Sequence, residues 1–233
     1  MRITLTMLLV VLSPEIMAQS TYPDVVAVGA MKHVKWKGEL QGVVRLDTLE
    51  EKTGLYGLGP QSYLIGELLI YDGITYLSQV TSDSTMKVVQ TSEVEAPFFV
   101  YGNVREWKTI ALPSSVKDIK SLEQYIDSQT KEYKRPFVFK LSGTIPSAQI
   151  HIQNLPLGTK VSSPKDAHKG QIQYLLEGED VEIVGFFSTK HQGIFTHHDT
   201  YLHMHLITKD KQQMGHVDWL NLSGEMQLLL PVK

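Results

Sequence analysis

A chain of 233 residues with 22 basic and 25 acidic side chains has a formal charge of −3. That is too little positive charge to track a phosphate backbone, which excludes nucleic acid as a natural partner. Hydrophobic residues at 42% and charged residues at 20% describe a folded protein of one large or two small domains. The absence of cysteine excludes disulfides, lipidated cysteine and thiolate ligands, so nitrogen and oxygen must hold any metal.

The chain opens with a positive residue, Arg2, an apolar run from Ile3 to Leu12, a break at Ser13-Pro14, and Ala18 before Gln19. A membrane span needs roughly 20 apolar residues, so this run is too short. The pattern predicts a secretory signal over residues 1–18 and export of the mature chain to the periplasm or beyond.

From residue 19 to about 135 the pattern predicts a sheet domain with few helices. "VVAVGAMKHVKWKGELQGVVRL" reads as strands and turns. In "TLEEKTG", Thr48 and Glu51 have capping-box spacing and Gly54 stands where a short helix would end. Asp72-Gly73 between "ELLIY" and "ITYLS" predicts a two-residue hairpin. "APFFVYGNV" is a further strand. In "PSSVKDIKSLEQYIDSQTKEY", Val116, Ile119, Leu122 and Ile126 recur at helical spacing, with Ser115 and Asp118 as its cap.

After Arg135-Pro136, the run from "FVFKLSGTI" to "LLLPV" reads as short strands turning at Gly143, Gly158, Gly170, Gly178, Gly193 and Gly215. Residues 136–233 are thus expected to form an antiparallel barrel or sandwich, which makes the fold class α+β. Lys140 is expected to face outward from its strand, and Tyr63 and Tyr71 to pack.

The stretch "YLHMHLITKDKQQMGHV" carries the chemistry. In a strand from Tyr201, Leu202, Met204 and Leu206 share one face, and His203 and His205 the other. If Lys209 to Gln212 form a hairpin loop, Thr208 pairs with Gln213 and His205 lies opposite His216. Opposed Cβ atoms are about 4.5–5.5 Å apart, so three imidazoles converge as in an open tri-histidine zinc site. His197 and His198 are expected in an exposed turn, and His33, His168 and His191 on the surface.

These blocks resemble the α-acetolactate decarboxylases, zinc lyases that convert 2-acetolactate to acetoin. "TLEEKTGLYGLGPQSYLIGELLIYDGITYL", "APFFVYGNV", "FVFKLSGTI" and "YLHMHLITKDKQQMGHV" carry the resemblance in that order, from about Gly42 to Trp219. It implies zinc held by His203, His205 and His216, and Glu67 as the acidic site residue. It also implies a mixed sheet domain beside a β-barrel domain with the metal, a 2-hydroxy-3-oxo acid as substrate, and a homodimer.

The pattern departs from the family at "GTIPSAQIHIQNLP", where Gln149 and His151 stand in place of arginines. Gly59-Pro60-Gln61 replaces a "GTF" turn, and Ile65 an acidic residue. The family's long C-terminal tail, with its further glutamate, has no counterpart before Lys233. His151 is therefore a candidate catalytic residue in the arginine's place. A zinc hydrolase and a non-catalytic zinc or oxo-acid binder are the rival readings.

Overall fold

The computed structural model describes residues 25–222 and 225–232. The leader expected over residues 1–18 lies outside the described residues. In chain order the elements begin with β1 (Val26–Gly29), α1 (Met31–Lys37), β2 (Val44–Arg45), β3 (Leu55–Pro60), β4 (Glu67–Tyr71) and β5 (Ile74–Ser82). They continue with β6 (Thr85–Gln90), β7 (Glu95–Ala96), β8 (Phe98–Asn103), β9 (Trp107–Ala111), α2 (Ile119–Gln129), β10 (Phe137–Thr144) and β11 (Ser147–Ile152). The last are α3 (Pro164–Ala167), β12 (Ile172–Glu177), β13 (Asp180–Phe187), β14 (Leu202–Thr208), β15 (Met214–Asn221) and β16 (Gln227–Pro231).

Six strands form one sheet in the order β1-β8-β3-β4-β5-β6, and eight form another in the order β12-β11-β15-β14-β13-β10-β16-β9. The change of sheet comes between Asn103 and Trp107, because β9 pairs with β16.

Two expectations need correction. The first sheet is antiparallel throughout rather than mixed: short connections join β3, β4, β5 and β6 in turn, and β8 runs antiparallel between β1 and β3. The second sheet is not a closed barrel, since β12 and β9 lie at its opposite edges. Helix α2 covers one face instead, burying Leu122 and Ile126 in a cluster with Phe137, Phe139 and Leu141. The other face meets the six-stranded sheet, where Val138, Val184, Phe186 and Ile207 pack on Leu58, Leu69 and Val100. Alternation along each strand therefore decides which side chains enter the space between the sheets.

That alternation also corrects Lys140, which lies on the β10 face turned toward the first sheet. It is buried, with Nζ 5.1 Å from the Tyr56 and Tyr71 ring centroids and 4.6 Å from that of Trp107. Tyr63 is half exposed at φ 63° rather than packed.

Local signals mattered as expected in some places and not in others. Asp72 and Gly73, at φ 48° and 81°, make the tight turn between β4 and β5. A single 3-10 turn, Leu46–Thr48, ends at the first residue of "TLEEKTG", and no α-helix follows. Thr48 Oγ1 donates to the Arg45 carbonyl and Glu51 Oε1 accepts from the Thr53 N–H, so both side chains serve local turns. Gly143 and Gly215 lie inside β10 and β15 rather than at turns.

The region read as strands holds α1. Met31 and Val34, three apart, are buried with Leu64, Phe98, Leu155 and Ala167, and Gly38 ends the helix in the left-handed conformation. Short α3 is likewise a helix within the region read as strands, with Ser163 as N-cap and Pro164 at its start.

Candidate metal centre

The site begins with β14, whose two faces behave as the alternation requires. Leu202, Met204 and Leu206 enter the core under α2, while His203 and His205 face the first sheet's side. On β15, His216 is the Cα partner of His205. The three ring centroids are 5.0, 5.2 and 5.5 Å apart, and one nitrogen from each ring lies within 4.8 Å of the others.

All three rings are buried. Burial first, and then the neighbouring imidazoles, holds His203 and His216 well below the ordinary histidine range and brings His205 to about 3. The rings are thus neutral near pH 7, with lone pairs available for a cation. Neither nitrogen of His205, nor Nδ1 of His203, makes a hydrogen bond of good geometry, and the Leu68 backbone near His205 only slightly offsets the fall in its pKa. Buried polar atoms without partners are costly unless something else satisfies them. A metal ion held by one nitrogen from each of the three rings would satisfy one of the two on His205, and the donor set fits one.

Glu67 reaches the same place from β4. It is buried, with Oε2 3.6 Å from His205 Nε2 and Oε1 3.9 Å from His151 Nε2. Burial raises its pKa well above the carboxylate range; the Gln153 N–H, donating to it, offsets part of this, and the Asp218 charge adds to the rise. A solvated strand-edge carboxylate is thereby excluded.

His151 comes from β11, on the far side of β15 from β14, and is the Cα partner of His216. The two rings are 4.5 Å apart. Three strands therefore present His205, His216 and His151 as one row. Asp218, two residues beyond His216 on the same face, accepts a hydrogen bond from His151 Nδ1 at 2.6 Å. His151, His216 and Asp218 form a second cluster of ligand-type atoms within 4.8 Å of one another. Gln149 does not join the site, because its Oε1 accepts the Trp219 indole N–H.

Gly215 makes this spacing possible. A Cβ built there would lie 2.6 Å from the His151 carbonyl oxygen, so a side chain would force β11 away from β15.

Sequence reasoning passed over three residues and misplaced a fourth. Asp218 had a legible signal in its i+2 spacing from His216. Gln153 lines the site two residues after His151, with its Nε2 3.4 Å from His151 Nε2. Lys35 was hidden when α1 was read as strands. His197, expected in an exposed turn, is half-buried with its ring 5.3 Å from that of His216. Burial, followed by the Lys35 and His151 charges, brings His197 to about 4. His198 is exposed as expected, and His33 and His191 lie apart, against Glu39 and Ser188.

Two spaces adjoin the triad. A small cavity of about 40 Å³ is lined by Glu67, Gln153, His203, His216 and Lys35, among others. A groove of about 750 Å³ is also lined by His197, His203 and His216, together with Asp218 and Glu123. The site can thus bind a cation at neutral imidazoles, hold a proton on a buried carboxyl, and admit a small molecule.

Residues 30–229 match the alpha-acetolactate decarboxylase family. The chain belongs to that family. Curated proteins include no match to it in sequence. Solved structures resemble this family member in fold. A Staphylococcus aureus protein of unknown function, described as similar to alpha-acetolactate decarboxylase, superposes with a TM-score of 0.75 at 16% identity. The alignment covers 90% of this chain and 86% of that one. Acetolactate decarboxylases from Bacillus subtilis strain 168 and subspecies spizizenii give TM-scores of 0.69 and 0.70 at 20% and 21% identity, with the same coverage of each chain. At such identities the likeness is one of fold, and the site residues of this family member stand on their own geometry.

Proposed function

We propose that the protein is a zinc-dependent carboxy-lyase acting on a small 2-hydroxy-3-oxo acid, with 2-acetolactate giving acetoin and CO₂ as its reaction. One observation carries the reading: three buried, neutral histidines converge beside a buried carboxyl, and His203 and His205 have ring nitrogens without a well-formed hydrogen bond. Family membership supplies the reaction class.

Zinc, when bound, supplies a Lewis acid that favours negative charge on the substrate's adjacent oxygens. His203, His205 and His216 would hold it.

The remaining steps belong to the chain. The bond between the carboxylate carbon and C2 breaks, CO₂ leaves, and the electron pair stays with the hydroxy-oxo fragment. Glu67, kept protonated by burial, delivers its proton to C2 of that fragment. His151 Nε2, 3.9 Å from Glu67 Oε1, lies within reach of one bridging water, and once it has taken a proton from solvent the doubly protonated ring can pass that proton from Nε2 to Glu67. Asp218 accepts the Nδ1 proton of His151, which favours the doubly protonated ring and keeps Nε2 turned toward Glu67.

We include in the proposal export of the mature chain, on the leader-like pattern of residues 1–18, and a homodimer, on the family precedent. The mass of the chain recovered from its host tests the first, and light scattering the second.

The deciding experiment measures bound zinc and CO₂ release from racemic 2-acetolactate, in the protein and in His203→Ala. Zinc near one per chain with variant-sensitive CO₂ release is expected. Zinc without CO₂ would remove the decarboxylase reading and leave the hydrolase and the binder. No zinc after supplementation would remove the metal centre itself.

A further inference from the structure

A substrate that loses its carboxylate must first have that carboxylate held, and a fixed cation is the usual means. At the two positions where the family pattern has arginines, this chain has Gln149 and His151, and both are engaged. Gln149 accepts from Trp219, and His151 is tied to Asp218 at 2.6 Å. The cation must come from another element.

Lys35 meets the requirement. It is the one lysine or arginine in the wall of the small cavity that Glu67, His203 and His216 also line. Among the described residues its Nζ makes no hydrogen bond, and no carboxylate lies within 4.0 Å of it. Its charge nevertheless reaches His168, His197 and His203, lowering the pKa of each. Asp199 is the one carboxylate that raises the pKa of Lys35, and it is exposed. A half-buried ammonium facing imidazoles without a partner is unfavourable by itself, and the balance reverses when an anion joins it.

The helix is anchored for this task. Met31 and Val34 lock α1 into the cluster with Leu64 and Phe98. The N–H groups of Met31 and Lys32 donate to the Ile194 and Gly193 carbonyls at 2.7 and 2.9 Å. Those bonds tie α1 to the loop that carries His197, so Lys35 is positioned from two sides.

We propose that Lys35 recognises the carboxylate of the substrate and sets specificity for small 2-hydroxy monocarboxylates. The inference rests on the lyase reading above, and it names the group that replaces the family's arginine. The small cavity of about 40 Å³ suits one anionic head. A single water needs about 10–15 Å³ of such space, so the cavity is of the size for a carboxylate head and a few atoms more.

The test uses zinc-loaded protein and two probes that do not react. 2-Hydroxy-2-methylbutanoate carries the carboxylate, and acetoin is the neutral counterpart. Calorimetric Kd values are measured for wild type, Lys35→Met and Lys35→Arg. Loss of a hydrogen bond to a charged group weakens binding about 10- to 100-fold. Lys35→Met is expected to lose that much for the carboxylate probe and to change acetoin less than about twofold, whereas Lys35→Arg stays near wild type. Equal losses for both probes, or no loss for either, would overturn the proposal. Should Lys35→Met not fold, Lys35→Gln gives the same comparison against Lys35→Arg. The two readings fail separately. Wild type that binds the carboxylate probe through Lys35 but releases no CO₂ from 2-acetolactate sinks the lyase and leaves Lys35. CO₂ release with an unchanged KM in Lys35→Met sinks Lys35 and leaves the lyase.

Discussion

His151 Nδ1 lies 2.6 Å from Asp218 Oδ1 across the adjacent strands β11 and β15. A carboxylate can only accept, so the proton is on Nδ1 and the imidazole presents Nε2 to Glu67. Replacing Asp218 by Asn removes that control, because an amide can donate as well as accept. Asp218→Asn should lower kcat by about 10- to 100-fold, the range for losing a charge-assisted hydrogen bond. Bound zinc should stay near the wild-type level, since Asp218 is not in the triad. Steady-state CO₂ release with parallel metal analysis checks this. An unchanged kcat would mean that His151 needs no orientation from Asp218.

Acid should unfold the metal-free protein early. His205 is held at about 3 and His197 at about 4, while an unfolded histidine titrates near 6.5. Above about pH 6.5 both states are neutral and pH has no effect through these groups. As pH falls below that, the unfolded chain takes up protons that the folded chain refuses, and stability drops until the folded pKa values are reached. His197 alone should contribute a loss of about 1–2 kcal/mol at pH 5. Urea midpoints at pH 7.5 and pH 5, with and without His197→Asn, measure it. The variant should lose part of the pH dependence, and a wild type equally stable at both values would contradict the argument. Zinc should shift both midpoints upward, as any ligand of the folded state does.

Gly215 offers a test of how tightly the strands must approach. Its Cβ position lies 2.6 Å from the His151 carbonyl oxygen, a backbone atom that cannot swing aside. Gly215→Ala should destabilise by about 1–3 kcal/mol through overpacking. It should also weaken zinc binding, because His216 is next in the chain. Thermal unfolding and a zinc titration on the same sample check both. Loss of stability alone, with unchanged zinc affinity, would separate the strand spacing from the metal site.

Much of the site was legible because a strand repeats every two residues. Once "LHMHL" was read as alternating, the hairpin count alone placed His205 opposite His216. The same rule would have found Asp218 from His216. Other features depended on which face meets which layer, and periodicity carries no information about that. Lys140 alternates like any outward strand residue, yet its face meets the first sheet and the amine lies among Tyr56, Tyr71 and Trp107. The open eight-stranded sheet was hidden for the same reason, since covering by α2 and closure into a barrel need the same inward residues. Lys35 was missed because α1 spans only seven residues, too short for helical spacing to stand out among glycines. His197 depends on a loop path fixed by long-range contacts.

Helix α2 shows how a cap can be displaced by one turn without changing the helix it belongs to. Ser115 and Asp118 have capping spacing, but the box that forms joins Asp118 to Ser121. Asp118 Oδ1 accepts the Ser121 N–H at 2.7 Å, and Ser121 Oγ accepts the Asp118 N–H at 3.1 Å. Asp118→Ala should therefore cost about 1 kcal/mol, while Ser115→Ala should stay within about 0.5 kcal/mol of wild type. Leu122 and Ile126 remain buried in the core shared with β14, so neither variant should remove the metal centre. Urea unfolding of the two variants side by side decides the point. The reverse order, with Ser115→Ala the more damaging, would place the functioning cap where the sequence alone suggested it.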